Sequence, residues 1–483
     1  MIEGLREEIL GGLLGLLLIF GGILLLPVVP AVIFAEFETA VPFLVTGLAV
    51  VLFSALARRK VKIKESYSRV SSIIIASVGW ILVSAIGAIP FAAVLGYNPL
   101  DALFESMSGF TTTGMTLITN FESVPSSILF WRSLTQWIGG VGIILLFTLI
   151  LVGGGVGSWR LYHLEGREEK FTLSTIATIK RIWLIYSILT AICAIVLLLL
   201  GMPPFDAINT AMTALSTGGF LTKNSILYFG KPEIQVVLCV FMTIGAISFS
   251  LFYNILRFDV KHILRDVETK FLIGTLLTCG VLVALMLWLA GFDTRYALLE
   301  SFFNTIAIMT TTGYSSVDLN AWPLASKSIL LLLMMIGGCS GSTAGGMKVW
   351  RFIVMYRAAK MEISKISLPP IAIKPIKIGG RALEEGYAVR VGAFVFLYVF
   401  AILVQFIVIS TMVPDPLGAI SLVASAQGNV GPAFYPVTEV PPAGKALLIA
   451  SMWFGRLELF PVLALFSKEL VDALRTRKEK AYV

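Results

Sequence analysis

Charged residues are scarce in this chain. Of its 483 residues, 14% are charged and 57% are apolar, and this composition excludes a soluble globular protein. Cysteine is scarce as well: Cys193, Cys239, Cys279 and Cys339 all lie in apolar segments, which excludes a disulfide framework and indicates small packing residues. We therefore expect an integral membrane protein without a cysteine-based site.

The first apolar run, about residues 11–34, is too long for the core of a signal peptide and fits a retained spanning helix. The longest polar stretches, about 158–176 and 361–385, are too short for a nucleotide-binding domain. We expect no organic cofactor in this chain, and any control by a nucleotide has to come from a partner.

The positive charges are strongly segregated along the chain. A net charge of +8 could suit nucleic acid, but in a membrane protein Lys and Arg mark topology, and we expect no nucleic-acid partner. The positive-inside rule places the five richest segments in the cytoplasm and the four stretches near 96–125, 202–233, 292–327 and 413–446 outside. The five segments hold 29 of the 37 Lys and Arg residues and lie at 58–69, 160–181, 257–270, 348–390 and 468–480.

A short motif recurs about every hundred residues. The four copies read "FTTTGMT", "LSTGGFL", "MTTTGYS" and "GNVGPAF", and self-similarity at a fixed period deserves weight before any single motif. Aligned on their glycines, the copies are Thr112, Thr113 and Gly114; Ser216, Thr217 and Gly218; Thr311, Thr312 and Gly313; and Asn429, Val430 and Gly431.

Each copy sits in the same frame of a long apolar run, a short semi-apolar segment, the motif and a second long apolar run. We interpret this frame as helix, half-helix, loop and helix, with an Asp residue capping the start of each half-helix. Two further helices, about 9–34 and 40–58, precede the repeats, giving about ten spans. The half-helices are expected at 101–111, 205–215, 297–309 and 417–427, and the capping residues are Asp101, Asp206, Asp293 and Asp415.

The fold class predicted is an all-α integral membrane protein, with four repeats of helix, pore helix and helix around a central ion pore plus two N-terminal transmembrane helices. The boundaries follow from the frame. The N-terminal pair takes residues 1–66, and the repeats take 67–160, 161–260, 261–365 and 366–483.

Four non-helical loops are expected at membrane depth, where unpaired peptide groups are tolerated only inside protein or beside a water-filled cavity. The loops are therefore expected to line such a cavity or to lie buried in the protein. Their carbonyls and hydroxyls could replace the water shell of a dehydrated monovalent cation, and glycine permits the backbone angles required. The alternative is that the motifs are small-residue patches for helix packing, which suits one copy better than four in register.

The run "GGCSGSTAGG" interrupts the second long helix of the third repeat. It fails as a phosphate loop, because Met347 and Val349 flank Lys348 where Gly and Ser or Thr are required. Residues 338–341 also fit the GxSG pattern of rhomboid-type intramembrane serine proteases. A serine nucleophile needs a base, and the only histidines, His163 and His262, lie in segments assigned to the cytoplasm.

Several charged or polar residues fall at membrane depth. Arg456 and Glu458 lie early in the last long helix. Arg456 either joins helices, by pairing with Glu458 or with a backbone carbonyl, or takes part in permeation. Near the outer face, Arg132, Arg295 and Lys327 are expected to be solvated or interfacial. The residues nine positions before each glycine are expected to support the motifs from behind by hydrogen bonding. They are Glu105, Asn209 and Asn304, and Leu422 holds this place in the fourth repeat.

The sequence resembles the TrkH, TrkG and KtrB superfamily of potassium transporters over nearly the whole chain, and it is closest to the TrkH branch. The N-terminal pair, "QWIGGVGII", "GGCSGSTAGGMKVWR", "GNVGPAF" and "GRLELF" carry the resemblance. It implies potassium uptake across the cell membrane, with the four motifs as a K+ filter that faces outward and the basic loops in the cytoplasm. Passage of K+ and Rb+ is expected. Because Met115, Gly219, Tyr314 and Pro432 differ after the key glycines, discrimination against Na+ is left unranked.

The resemblance also implies an intramembrane gate beneath the filter, a pore-facing arginine at Arg456, a homodimer, and docking on cytoplasmic TrkA-type subunits that bind NAD or adenine nucleotides. An H+- or Na+-coupled symporter stays open as the alternative, with Glu105 and Glu300 as candidate carboxylates. The gate residues are Gly337, Gly338, Cys339, Ser340, Gly341, Ser342, Thr343, Ala344, Gly345 and Gly346.

Overall fold

The computed structural model describes residues 2–61, 68–152, 175–255, 265–366, 375–384 and 386–466. Within these ranges the chain is helical apart from its turns, loops and one small hairpin, which pairs Lys377–Ile378 with Arg381–Ala382 in antiparallel fashion. The histidines at 163 and 262 lie outside the described residues.

The N-terminal helices pack against each other and against the helix that follows them. They span Ile2–Ile23, with a short continuation over Val28–Ile33, and Phe37–Arg58. Their crossing is close, because a Cβ atom built at Gly21 would lie 3.1 Å from the carbonyl oxygen of Gly47. The predicted N-terminal pair is therefore present at the periphery, next to the first repeat.

Four units follow, each with a leading helix, a half-helix, a single 3-10 turn and a trailing helix. The leading helices are Arg69–Leu95, Thr175–Leu199, Val267–Leu289 and Tyr387–Ser410. The half-helices are Pro99–Phe110, Pro204–Leu215, Thr294–Met309 and Pro416–Gly428. The 3-10 turns are Phe121–Ser123, Ile226–Phe229, Leu319–Ala321 and Val437–Glu439.

The trailing helix is continuous in the first unit, where it spans Ser126–Val152. In the other three units it is broken into Pro232–Ala246 and Phe249–Ile255, Leu324–Ile336 and Val349–Lys365, and Pro442–Arg456 and Phe460–Leu465. The sequence predicted only the glycine-rich break of the third unit. The fourth break coincides with positive φ at Glu458 and Leu459, which interrupts the helical hydrogen bonding without glycine or proline.

The units form a closed ring. Each half-helix packs against the leading helix of its own unit and against the trailing helix of the preceding unit, and the first half-helix packs against the fourth trailing helix. This cyclic contact brings the C-terminal ends of the four half-helices, and the motifs that follow them, to one place.

The half-helices begin as expected in two of four cases. Asp293 and Asp415 each accept hydrogen bonds from backbone N–H groups in the first turn. The first half-helix is capped by Asn98 rather than Asp101. In the second, Pro203 precedes the helix without a side-chain cap, and Asp206 instead accepts a bond from the Thr222 hydroxyl at 2.5 Å.

Six of the described helices are long and apolar enough to cross a membrane by length and composition. Pro232–Ala246 and Leu324–Ile336 are shorter apolar helices. This pattern agrees with a multi-pass membrane protein. The six are Leu5–Ile33, Phe37–Arg58, Val70–Leu95, Lys180–Leu199, Val267–Leu289 and Tyr387–Ser410.

Candidate functional site

The site begins where each half-helix ends. Immediately after the last turn the backbone passes into the left-handed region at Thr112, Thr217, Thr311 and Asn429, with φ between 51° and 56°. Three of these residues are threonine, a β-branched type for which positive φ is a genuine outlier. Strain of this kind persists only where the surroundings over-determine the backbone, and it concentrates at functional sites.

A second left-handed residue follows two positions later in every unit. These residues are Gly114, Gly219, Gly313 and Gly431, with φ of 82°, 79°, 71° and 109°. The four motif loops are therefore residues 112–114, 217–219, 311–313 and 429–431. The alignment of Gly218 with the other glycines is wrong by one residue, because the backbone makes Gly219 the equivalent position and puts Ser216 at the end of the half-helix.

The motif loops meet in a ring. A Cβ atom built at Gly114 would lie 2.3 Å from the carbonyl oxygen of Gly218, and one at Gly219 would lie 1.9 Å from that of Thr312. The ring continues from Gly313 to the carbonyl oxygen of Val430 at 1.8 Å, and it closes from Gly431 to that of Thr113 at 2.6 Å. No side chain fits at any of these four glycines, since each faces a carbonyl oxygen of the next unit.

The backbone alternates in the same way in every motif loop. The first and third positions are left-handed, and the residue between them does not have a positive φ. The carbonyl oxygen of this middle residue faces the glycine of the preceding unit around the ring. The N–H groups point back, and those of Thr113, Gly218 and Val430 each donate to a carbonyl in the last turns of their half-helix at 2.9 Å. These N–H groups are therefore used in hydrogen bonds to the half-helix of their own unit.

Behind the first motif loop lies a buried ion pair. Nε of Arg132 donates to Oε1 of Glu105 at 2.8 Å, and the two side chains are 1% and 0% exposed. Glu105 also accepts bonds from the Thr116 hydroxyl and the Leu117 N–H, and Arg132 donates to the carbonyl of Leu221 in the second unit. The expectation that Arg132 is solvated or interfacial is wrong, because Glu105 compensates its charge inside the protein.

Glu105 confirms the expectation of bracing from behind, and Asn304 does the same in the third unit, where its Nδ2 donates to the Ser316 hydroxyl at 2.9 Å. Asn209 does not follow the pattern, since its Nδ2 donates to Phe205 in its own helix. The register of the second loop explains this, because the position nine residues before Gly219 is Thr210. The carbonyl of Thr210 accepts a bond from the Tyr314 hydroxyl at 2.9 Å.

The fourth motif loop departs from the others in its residues but is tied to the first. Nδ2 of Asn429 donates to the Thr113 hydroxyl and to the carbonyl of Met452, both at 3.0 Å. The side chains of Ser421 and Ser425 accept bonds from the N–H groups of Phe434 and Gly431. Side-chain hydrogen bonds here replace the threonine pairs of the first and third units, Thr111 with Thr113 and Thr310 with Thr312.

The break in the third trailing helix forms a buried linking segment, residues 337–348, against the helical ends of the motif loops. The N–H of Gly345 donates to the Thr311 hydroxyl at 2.7 Å, and that of Gly346 to the carbonyl of Gly428 at 2.9 Å. The Thr343 hydroxyl shares its proton between the carbonyls of Leu215 and Gly245, both at 2.9 Å. The segment thus touches the second, third and fourth units at once.

Arg456 completes these contacts. It is 2% exposed, and its Nη1 and Nη2 donate to the carbonyls of Thr343 and Gly139 at 2.8 and 2.7 Å. Gly139 belongs to the first trailing helix, so Arg456 joins the fourth unit to the first and to the linking segment. Of the two pairings weighed for Arg456, the structure contains the one with backbone carbonyls, which joins helices of different units. The pairing with Glu458 is absent among the described contacts, because Glu458 pairs with Arg351.

Within the GxSG stretch, the N–H of Ser340 donates to Oε2 of Glu268 at 2.7 Å. The two histidines that a protease would require lie outside the described residues. None of the four cysteines, all of which lie in the described part of the chain, forms a disulfide bond.

Three further residues at this site escaped the sequence reasoning. Gln136 contacts the second motif loop, the buried Lys348 donates from Nζ to the carbonyl of Ala344, and Glu268 holds Ser340. A polar residue inside an apolar run was the available signal for Gln136 and Lys348. The sequence gives no indication of their partners, which lie in other units or across a turn of irregular backbone.

The comparisons with known proteins agree with this architecture. Residues 42–474 match the model of the TrkH family, described as cation transport protein. The chain is 34% identical to the Trk system potassium uptake protein TrkH of Salmonella typhimurium over 472 residues, covering 94% of this chain and 96% of that one.

An uncharacterized cation transporter of Methanocaldococcus jannaschii is 33% identical over 488 residues, covering 99% of this chain and 98% of that protein. The crystal structure of the potassium transporter TrkH from Vibrio parahaemolyticus superposes with a TM-score of 0.87 at 30% identity, covering 96% of this chain and 99% of that one.

Proposed function

Because the chain belongs to the TrkH family of cation transport proteins, we propose that it takes up K+ across the cell membrane through the ring of four motif loops. The observation that carries this proposal is the closure of the ring, in which each of the four glycines abuts a carbonyl oxygen of the next unit. Packing alone, the alternative for small-residue motifs, does not require strained threonines at equivalent places in three units.

The ring has the chemistry to hold a dehydrated monovalent cation. Backbone carbonyls replace the hydration shell in the filters of potassium channels, and the backbone carbonyls of the four motif loops are ligands of the same chemical type. The C-terminal ends of four half-helices converge here, and their dipoles favour positive charge. The Thr112 hydroxyl is buried and, among the described residues, has no hydrogen-bond partner, which leaves it available to the ion or its water.

The proposed filter consists of the three residues of each motif loop. The corrected register adds Gly219 and leaves Ser216 as the residue that ends the second half-helix. The filter residues are Thr112, Thr113, Gly114, Thr217, Gly218, Gly219, Thr311, Thr312, Gly313, Asn429, Val430 and Gly431.

The linking segment is the proposed gate. It is anchored by backbone and hydroxyl hydrogen bonds to the ends of three half-helices, directly where an ion leaving the filter would pass. Arg456 adds a buried positive charge at the same place. The structure supports a closed gate, which opens when the bonds of Gly345, Thr343 and Arg456 are exchanged for water.

Uncoupled flux down the K+ gradient is favoured over symport with H+ or Na+. The two candidate carboxylates for coupling are engaged in bracing: Glu105 pairs with Arg132, and Glu300 accepts bonds from Ser316 and Gln235. The family assignment also supports a transporter rather than an intramembrane serine protease.

The proposed organisation follows the relatives named for the Trk system. We assign residues 1–66 to the N-terminal pair and 67–160, 161–260, 261–365 and 366–483 to the four repeats, with the filter facing outward in the cell membrane. A homodimer is proposed, and the basic cytoplasmic loops are proposed to dock TrkA-type nucleotide-binding subunits. Anionic lipid is the competing ligand of those loops.

Flux measurements in proteoliposomes test the proposal. The purified chain is reconstituted with internal K+, and uptake of tracer Rb+ is followed with and without a pH or Na+ gradient, in the presence and absence of the cytoplasmic subunit and nucleotide. Uptake that follows the K+ gradient alone is expected. Uptake that requires one of the other gradients would establish symport, and no K+ or Rb+ flux under any of these conditions would contradict K+ transport.

A further inference from the structure

The second motif loop differs from the other three at its middle position. Thr113, Thr312 and Val430 occupy this position in the first, third and fourth loops, and Gly218 occupies it in the second. Gly218 does not have a positive φ, so its backbone conformation is open to any residue. The glycine has to be explained by the space around it.

That space is filled by Gln136, which projects from the first trailing helix and is 0% exposed. A Cβ atom built at Gly218 would lie 2.4 Å from Cδ, 2.5 Å from Oε1 and 2.9 Å from Cβ of Gln136. The side chain of a neighbouring unit therefore stands where the second loop would otherwise place its own.

Gln136 also holds the loop by two hydrogen bonds. Its Nε2 donates to the carbonyl oxygen of Gly218 at 2.6 Å, and its Oε1 accepts from the N–H of Phe220 at 2.9 Å. The orientation of the amide is fixed by chemistry, because the N–H of Phe220 can only donate and the carbonyl of Gly218 can only accept. The two bonds lie on either side of Gly219, the residue at which a Cβ atom would meet the carbonyl oxygen of Thr312.

We propose that Gln136 is a positioning residue for ion selectivity, which sets the direction of the Gly218 carbonyl and the place of Gly219 in the ring. The proposal rests on the function proposed for the motif loops. Gln136 belongs to the first unit, and its side-chain amide holds the motif loop of the second unit. The two units are therefore joined at one of the carbonyl groups proposed to bind the ion. A carbonyl already bonded to Nε2 has less freedom to turn toward an ion, so the second quarter binds cations differently from the other three.

The first arm of the test removes the hydrogen bonds and keeps the volume. Gln136→Met has a similar length and can neither donate to Gly218 nor accept from Phe220, and Gln136→Glu can still accept but cannot donate. We expect both variants to change the ratio of Na+ to Rb+ flux in proteoliposomes by about tenfold, equivalent to about 1.4 kcal/mol. Gln405→Met is the matched control, because Gln405 is a buried glutamine that bonds to the Gln427 side chain and not to a motif loop.

The second arm exchanges the positions of the side chains. Gly218→Ala introduces a Cβ that conflicts with Gln136, and we expect it to reduce Rb+ flux about tenfold or more. Gln136→Gly removes every side-chain atom named in that conflict, so the double variant Gln136→Gly with Gly218→Ala is expected to recover flux relative to Gly218→Ala alone. An additive loss would show that the Cβ at position 218 conflicts with something other than Gln136. The change of ion ratio in Gln136→Met and Gln136→Glu is the readout that distinguishes positioning of the loop from filling of space.

Gly313→Ser in the same assay separates the two proposals. An altered ion ratio in Gly313→Ser, together with an unchanged ratio in Gln136→Met and no recovery in the double variant, would overturn the role of Gln136 and leave the filter standing. An unchanged ratio in Gly313→Ser as well would overturn the filter proposal on which it rests. Size-exclusion profiles in detergent confirm that each variant is folded before its flux is compared.

Discussion

The guanidinium of Arg456 donates from Nη1 to the carbonyl oxygen of Thr343 at 2.8 Å, and this bond fixes the middle of the linking segment. The second bond, from Nη2 to Gly139, reaches the first trailing helix. One side chain of the fourth unit therefore holds the proposed gate of the third unit and a helix of the first. A hydrogen bond to a charged donor contributes about 1.5–3 kcal/mol. Because neither bond of Arg456 reaches a motif loop, the loss of this residue is expected to affect the gate more than the ring.

Replacing Arg456 by alanine should raise basal flux. The variant removes both bonds and the buried positive charge, and we expect Rb+ uptake without the cytoplasmic partner to increase about tenfold while the ratio of Na+ to Rb+ flux stays unchanged. Arg390→Ala is the control, because Arg390 is exposed and pairs with Glu384. Equal or lower uptake by folded Arg456→Ala protein would argue against a gating role.

The buried pair of Glu105 and Arg132 should be a strong determinant of stability. Removing one partner leaves the other charge buried and uncompensated, which costs about 3–5 kcal/mol. We expect Glu105→Gln and Arg132→Met each to lower the thermal unfolding temperature in detergent, and the double variant to lose less than the sum of the two.

Lys445→Ala provides the comparison for this pair. Lys445 pairs with Asp101, and their side chains are 12% and 22% exposed. Water reaches both charges, so the loss of one partner is expected to cost less here than in the fully buried pair. A loss in Lys445→Ala as large as that in Arg132→Met would show that burial of the first pair is not what matters.

Gly219 should tolerate no side chain, although the sequence alignment favoured Gly218 as the key glycine. Its φ is 79°, and a Cβ there would lie 1.9 Å from the carbonyl oxygen of Thr312. Gly219→Ala is expected to abolish Rb+ uptake. The control is Gly230→Ala, which imposes the same kind of strain at φ 64° but has no heavy atom within 4 Å. Only conformational strain of about 1–2 kcal/mol acts there, so uptake should fall much less than in Gly219→Ala. Similar losses in both variants would contradict the ring geometry.

The hydroxyl of Thr343 should hold the gate closed. Thr343→Val keeps the shape and removes the hydroxyl proton shared by the carbonyls of Leu215 and Gly245. The Gly245 carbonyl keeps the bond from the Thr343 N–H at 3.2 Å, so the main loss is the donor to Leu215, at about 1–3 kcal/mol. We expect basal Rb+ uptake to rise several-fold. Thr278→Val is the matched control, because the Thr278 hydroxyl donates only within its own exposed helix face. Unchanged uptake in Thr343→Val would show that this anchor does not restrain the gate.

Much of the architecture could be predicted because glycine, proline and apolar length mark it directly. The four half-helices, the break in the third trailing helix and the peripheral N-terminal pair all follow from such local signals. The register of the second loop could not be predicted, because Gly218 and Gly219 are adjacent in the sequence. Gly219 is required by its positive φ and Gly218 by its contact with Gln136, and only the structure distinguishes these two causes. The burial of Arg132 could not be predicted either, because its partner Glu105 lies on another helix and the sequence does not show which helices meet.

The breaks in the second and fourth trailing helices carry no glycine or proline at the break itself. Ile247 and Ser248 end one helix, and Leu457, Glu458 and Leu459 end the other. At the second break the backbone follows a contact with another unit, since the N–H of Phe249 donates to the carbonyl of Gly341. Tertiary hydrogen bonds of this kind leave no trace in the local sequence.

If the four motif loops form one cation filter, Gly313→Ser has to change the ratio of Na+ to Rb+ flux. Gly313 has a φ of 71°, and a Cβ there would lie 1.8 Å from the carbonyl oxygen of Val430, so serine has to displace a carbonyl that we assign to the ion. In proteoliposomes that hold equal amounts of folded wild-type and variant protein, we expect the ratio to change by about tenfold or more. An unchanged ratio with normal Rb+ flux would show that ions do not pass through this ring.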